Sequence, residues 1–62
     1  METLELKREI VKELQREGTC NLSHLLTRFQ NENTGDIMIA CNELEKAGII
    51  KLAGLQYYLP QQ

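Results

Sequence analysis

The sequence predicts a mainly α fold: three helices followed by a small β-hairpin. Three observations carry this expectation. Apolar residues recur at three- and four-residue spacing in three separate segments, the mark of amphipathic helices. Each segment ends at a chain-breaking signal: Gly18, the polar run from Gln30 to Asn33, and Gly48. The remaining stretch, residues 49–59, is rich in strand-forming residues and breaks once, at Ala53-Gly54.

The first helix is expected over residues 3–17. Leu4, Leu6, Ile10, Val11 and Leu14 cover one arc, and Lys7 falls inside it with its stem along apolar surface. Glu5 and Arg8, Glu9 and Lys12, and Glu13 and Arg16 are spaced i,i+3 with opposite signs, the pattern of a solvated, charge-laced face. Gly18 stops the helix. Cys20 is then the inward residue of a very short strand or extended link. Asn21 caps a second helix over residues 21–30, with Leu22, Leu25, Leu26 and Phe29 inward and His24 and Arg28 on the polar side. His24 has no acidic or cysteine neighbour at ligand spacing and reads as a surface residue.

Asn33 or Thr34 caps the third helix, over residues 34–47, and Asp36 in its first turn suits the positive end of the helix dipole. Ile37, Ala40, Cys41, Leu44 and Ala47 form its apolar face. Asp36, Met38, Ile39, Asn42, Glu43, Glu45 and Lys46 form the other. A hairpin spans residues 49–59. A two-residue Ala53-Gly54 turn pairs Leu52 with Leu55 and places Ile50, Leu52, Leu55, Tyr57 and Leu59 on one face; a longer turn shifts the register and buries Tyr58 instead. Pro60 and the two glutamines end the ordered chain.

At 62 residues the chain is expected to be one domain. A domain of this size buries only ~60% of the surface its unfolded chain exposes, so its stability is small. An apolar fraction of 42% suffices for one core. Apolar runs fall short of the ~20 residues that span a bilayer, and the acidic start Met-Glu-Thr-Leu-Glu leads into no signal-peptide core, so the expected location is the cytoplasm. Cys20 and Cys41 make no disulfide framework and fit small buried sites. The net charge is −2, without the basic excess typical of a chain that grips nucleic acid unaided. A nucleophile–base pair, a phosphate-cradling glycine loop and a metal cluster are all missing, so an enzyme is not expected and no cofactor is implied.

The order helix, link, helix, turn, helix, hairpin is that of a winged helix-turn-helix domain. Arg8-Glu9-Ile10-Val11-Lys12-Glu13-Leu14, the run from Gly18 to Phe29, and Leu44-Glu45-Lys46-Ala47-Gly48-Ile49-Ile50 followed by Tyr57-Tyr58-Leu59 resemble the three blocks of small bacterial and archaeal winged-helix regulators. The resemblance covers the whole chain and rests on packing residues. In length the chain is similar to the gamma domain of DNA translocases and to small winged-helix proteins of ferrous-iron transport operons. It lacks the cysteine-rich segment of the latter and the basic recognition helix of the former.

The resemblance implies that the third helix enters the major groove of double-stranded DNA. Asn33, Thr34 and Asn42 would then meet base edges or phosphates, while Arg28, Lys46 and Lys51 would meet phosphates. Asp36, Glu43 and Glu45 oppose this use, since they would approach a polyanion. The alternative is a protein-interaction module in which Met38 and Ile39 form an apolar centre edged by acidic residues including Glu43. A homodimer, with Leu4, Leu6 or the hairpin as its contact, would double the DNA contacts of one copy.

Overall fold

The computed structural model describes residues 1–60; the expectation for Gln61 and Gln62 lies outside the described residues. The fold is mainly α with a small antiparallel sheet. The elements run α1 (Thr3–Glu17), β1 (Thr19–Asn21), α2 (Leu22–Arg28), α3 (Thr34–Lys46), β2 (Lys51–Ala53) and β3 (Gln56–Tyr58). No helix among the described residues is long and apolar enough to cross a membrane.

The caps follow the sequence signals. Asn21 Oδ1 accepts from the His24 amide at 2.7 Å. At α3 the cap is Asn33, whose Oδ1 accepts from the amides of Gly35 at 2.7 Å and Asp36 at 3.3 Å. Gly18 closes α1 by donating its amide to the Leu14 carbonyl. The end of α3 is a Schellman motif. The Ile49 amide donates to the Leu44 carbonyl and the Gly48 amide to the Glu45 carbonyl, each at 3.0 Å. This arrangement needs a left-handed residue after the cap, and Gly48, at φ 77°, supplies it. The reversal delivers Ile50 into the core while leaving Ile49 outside.

The core is formed by Leu6, Ile10 and Leu14 of α1, Leu25 and Phe29 around α2, and Ile37, Ala40, Cys41 and Leu44 of α3. Cys20, Ile50 and Leu59 close it from the sheet side. Ala47, expected on the buried face of α3, is exposed, because the helix ends at Lys46 and Ala47 is its C-cap. Leu6, offered above as a dimer contact, is 2% exposed and belongs to the core. α2 is shorter than expected, because residues 29–31 form a turn.

The sheet order is β1-β3-β2. β3 is therefore central, and the link holding Cys20 is a true strand that pairs Cys20 with Tyr57. The hairpin has a two-residue turn, placed one residue later than expected: Ala53 pairs with Gln56 and Leu52 with Tyr57, leaving Gly54 and Leu55 as the turn. Gly54 has φ 62° and Leu55 a negative φ, the pattern of a type II′ turn with glycine first. The shift removes Leu55 from the inner face and leaves it 83% exposed at the tip. Tyr57 is half-buried and Tyr58 exposed, so Tyr57 is the inward tyrosine.

Candidate functional site

The outer surface of α3 is divided by helix geometry into a crest and two flanks. Ile37, Ala40, Cys41 and Leu44 point inward. Opposite them lies one stripe of Ile39, Asn42 and Lys46, spaced i, i+3, i+7. Asp36, Glu43 and Ala47 form the flank beside α1. Glu43 Oε1 lies 2.7 Å from Lys7 Nζ of α1. Glu43, expected on the presented face, is thus turned toward α1 and matched by a cation. Met38 and Glu45 lie on the other flank, toward the sheet. There burial first, and the Glu45 carboxylate second, push the Cys41 thiol up to about 11. Burial, with Cys41 and Glu45 nearby, also raises Tyr57.

The remaining expected contacts are dispersed. Asn33 and Thr34 are exposed at the start of α3, with the Asn33 carbonyl oxygen engaged in the cap. Lys51 is exposed on β2. Among the described residues, Arg8, Lys46 and Lys51 are the side-chain cations outside any ion pair. Two of these three belong to α3 and the hairpin. Met38 and Ile39 are 50% and 55% exposed, and Leu52, Leu55 and Tyr58 of the hairpin are exposed as well.

Arg28 is placed differently from the expectation of a free phosphate contact. Its Nε lies 3.4 Å from Glu13 Oε1, and its guanidinium stacks 5.0 Å from the Phe29 ring centroid. Glu13 is the centre of this cluster. Expected on a solvated face, it is 3% exposed. Arg16 Nη2 donates to Glu13 Oε2 at 2.7 Å, and His24 Nε2 lies 2.7 Å from the same oxygen. A carboxylate only accepts, so the Nε2 position carries the ring proton in this contact. The hydrogen bonds from Arg16 and His24 hold the Glu13 carboxyl below the usual carboxylate range against the opposing effect of burial. His24 therefore has an acidic partner eleven residues away. The local signal for this was the position of Glu13, seven residues after Leu6 and three after Ile10, which sets it on the buried stripe of α1. The expected Glu5–Arg8 pair does not form, whereas Lys12 and Glu9 meet at 3.2 Å.

A second surface feature was not anticipated. An open groove of about 470 Å3 runs between α1 and the end of α3. Leu4, Val11, Ala47 and Ile49 supply its apolar lining, and Lys7, Arg8 and Lys12 stand along it. Leu4 and Ile49 are about half exposed, at 52% and 48%.

Comparison with protein-family models, with curated proteins and with solved structures finds no match to this chain.

Proposed function

We propose that this chain is a non-enzymatic winged-helix module that presents α3 to double-stranded DNA as a transcription regulator. The observation that carries the reading is the crest of α3. It holds Asn42 and the unpaired Lys46, and Glu43 is drawn off it to Lys7, while Lys51 of the hairpin is a further cation outside any ion pair among the described residues. Asn42 is suited to base edges, and Asn33 and Thr34 to the edge of the groove. Lys46 and Lys51 are suited to phosphates. Arg28 contributes less than its charge suggests, because Glu13 already matches it. Such a module acts in the cytoplasm, where buried thiols such as Cys20 and Cys41 stay reduced.

Fluorescence polarisation with a labelled duplex tests the reading. Two lysine–phosphate contacts give a log–log salt slope of roughly −2 for one copy and roughly −4 for a pair of copies on adjacent half-sites. Lys46→Glu with Lys51→Glu abolishes binding while the circular dichroism spectrum is unchanged. Absence of binding at low salt overturns the proposal.

One observation favours a protein partner on the same face. Ile39 on the crest and Met38 on the flank beside it are half exposed, and apolar side chains there gain little from phosphates. In that reading Met38→Ala with Ile39→Ala removes partner capture and leaves the melting temperature unchanged.

A further inference from the structure

We propose that the groove between α1 and the end of α3 is a docking site for an acidic amphipathic helix of another protein. This rests on neither reading of the outer face of α3. The shape comes first. Leu4, Arg8, Val11 and Gln15 lie on one stripe of α1, and the stripe is roughly 16 Å long at 1.5 Å per residue. That matches about three turns of a docked helix, whose apolar i, i+3/i+4, i+7 positions would meet Leu4, Val11, Ala47 and Ile49. The Schellman turn holds Ile49 outward at one end of the groove, so the apolar surface is built by backbone hydrogen bonds and not by a loose side chain.

Charge selects the occupant. Lys7, Arg8 and Lys12 face one carboxylate, Glu43, across the groove. The lining thus carries two net positive charges in a chain whose net charge is −2. Glu43 is taken by Lys7, and the Lys12–Glu9 pair is exposed and weak, so Arg8 and Lys12 remain available to a partner's carboxylates. A second copy fits poorly. A symmetric contact would set the Arg8 and Lys12 rims of two copies against each other. A head-to-tail contact, with the acidic-edged Met38–Ile39 face entering the groove, would build a ring or a filament of copies and not a dimer.

The probes are two synthetic helical peptides of about 14 residues with the same leucine pattern, one flanked by glutamates and one by lysines. Binding is read by fluorescence anisotropy and by amide shifts of the 15N-labelled chain. The glutamate peptide binds at least tenfold more tightly than the lysine peptide, with shifts confined to α1 and to Ala47, Gly48 and Ile49. Arg8→Glu with Lys12→Glu weakens it tenfold or more, and Ile49→Asp does the same; all three side chains are exposed, and circular dichroism checks that the fold persists. Equal binding of both peptides, no binding of either at millimolar concentration, shifts centred on Met38 and Ile39, or a groove-mediated dimer in sedimentation without peptide overturns the proposal.

Discussion

Replacing Glu13 by glutamine tests whether a buried carboxylate ties α1 to α2. Two hydrogen bonds at 2.7 Å, from Arg16 and His24, and a longer contact from Arg28 converge on it. Hydrogen bonds to charged groups contribute about 1.5–3 kcal/mol each. The Arg16, His24 and Arg28 side chains are 62%, 40% and 49% exposed and regain water when released, so the net loss for Glu13→Gln is near 2 kcal/mol, well below the sum of the bonds. For a domain of this size that lowers the melting temperature by about 8–16 °C.

The pH dependence identifies the source. The folded chain holds Glu13 below its ordinary value, so the unfolded chain binds more protons in the acid range and stability rises with pH. The contribution is complete above the unfolded carboxylate value and is lost as the pH falls through the lowered folded one. Urea titrations of the two chains should therefore differ at pH 7 and converge below the carboxylate range. Parallel stability curves for wild type and Glu13→Gln across that range, or a melting temperature changed by less than about 3 °C, would refute the role given to Glu13.

Three further expectations concern packing. Gly48→Ala should cost about 1 kcal/mol in urea denaturation through the backbone alone, because φ is 77° and an added Cβ meets nothing within 4 Å; an unchanged midpoint would contradict the Schellman end of α3. Ile37→Ala and Ile39→Ala, two residues apart, should differ sharply: about 2–5 kcal/mol for the 1%-exposed Ile37 and under ~0.5 kcal/mol for the 55%-exposed Ile39. Similar losses for both would mean that the crest of α3 is misplaced. Neither Cys20 nor Cys41 should react readily with a disulfide reagent at pH 8 in the folded chain, since both thiols are buried and raised above their ordinary value; both should react once urea unfolds it, and fast labelling of the native chain would refute their burial.

The three helices were legible because each carries its own information. Asn21 and Asn33 start helices, Gly18 and Gly48 end them, and the spacing of Ile37, Ala40, Cys41 and Leu44 marks the inward face of α3 without reference to the rest of the chain. Caps and periodicity are local, so a sequence displays them. The hairpin was legible in kind and one residue out in register. Its turn is set by which residue can take a positive φ first, and Gly54 can whereas Ala53 cannot without strain.

What tertiary structure decided is where charges end up. Glu13, Glu43, His24 and Arg28 all looked like solvated surface when each helix was read alone, and Lys7 like a stem on apolar surface with no partner for its ammonium. Bringing α2 to α1 closed Glu13 among the side chains of Arg16, His24 and Arg28, drawn from two helices, and packing α1 against α3 joined Lys7 to Glu43. The same packing of α1 against α3 opened the groove. The third helix remains the element that the sequence by itself marked most clearly, through its cap, its apolar stripe and its glycine stop. Which of its polar residues is free to meet a partner depends on neighbours distant in the chain, because Coulomb energy and burial follow distance in space and not separation in sequence.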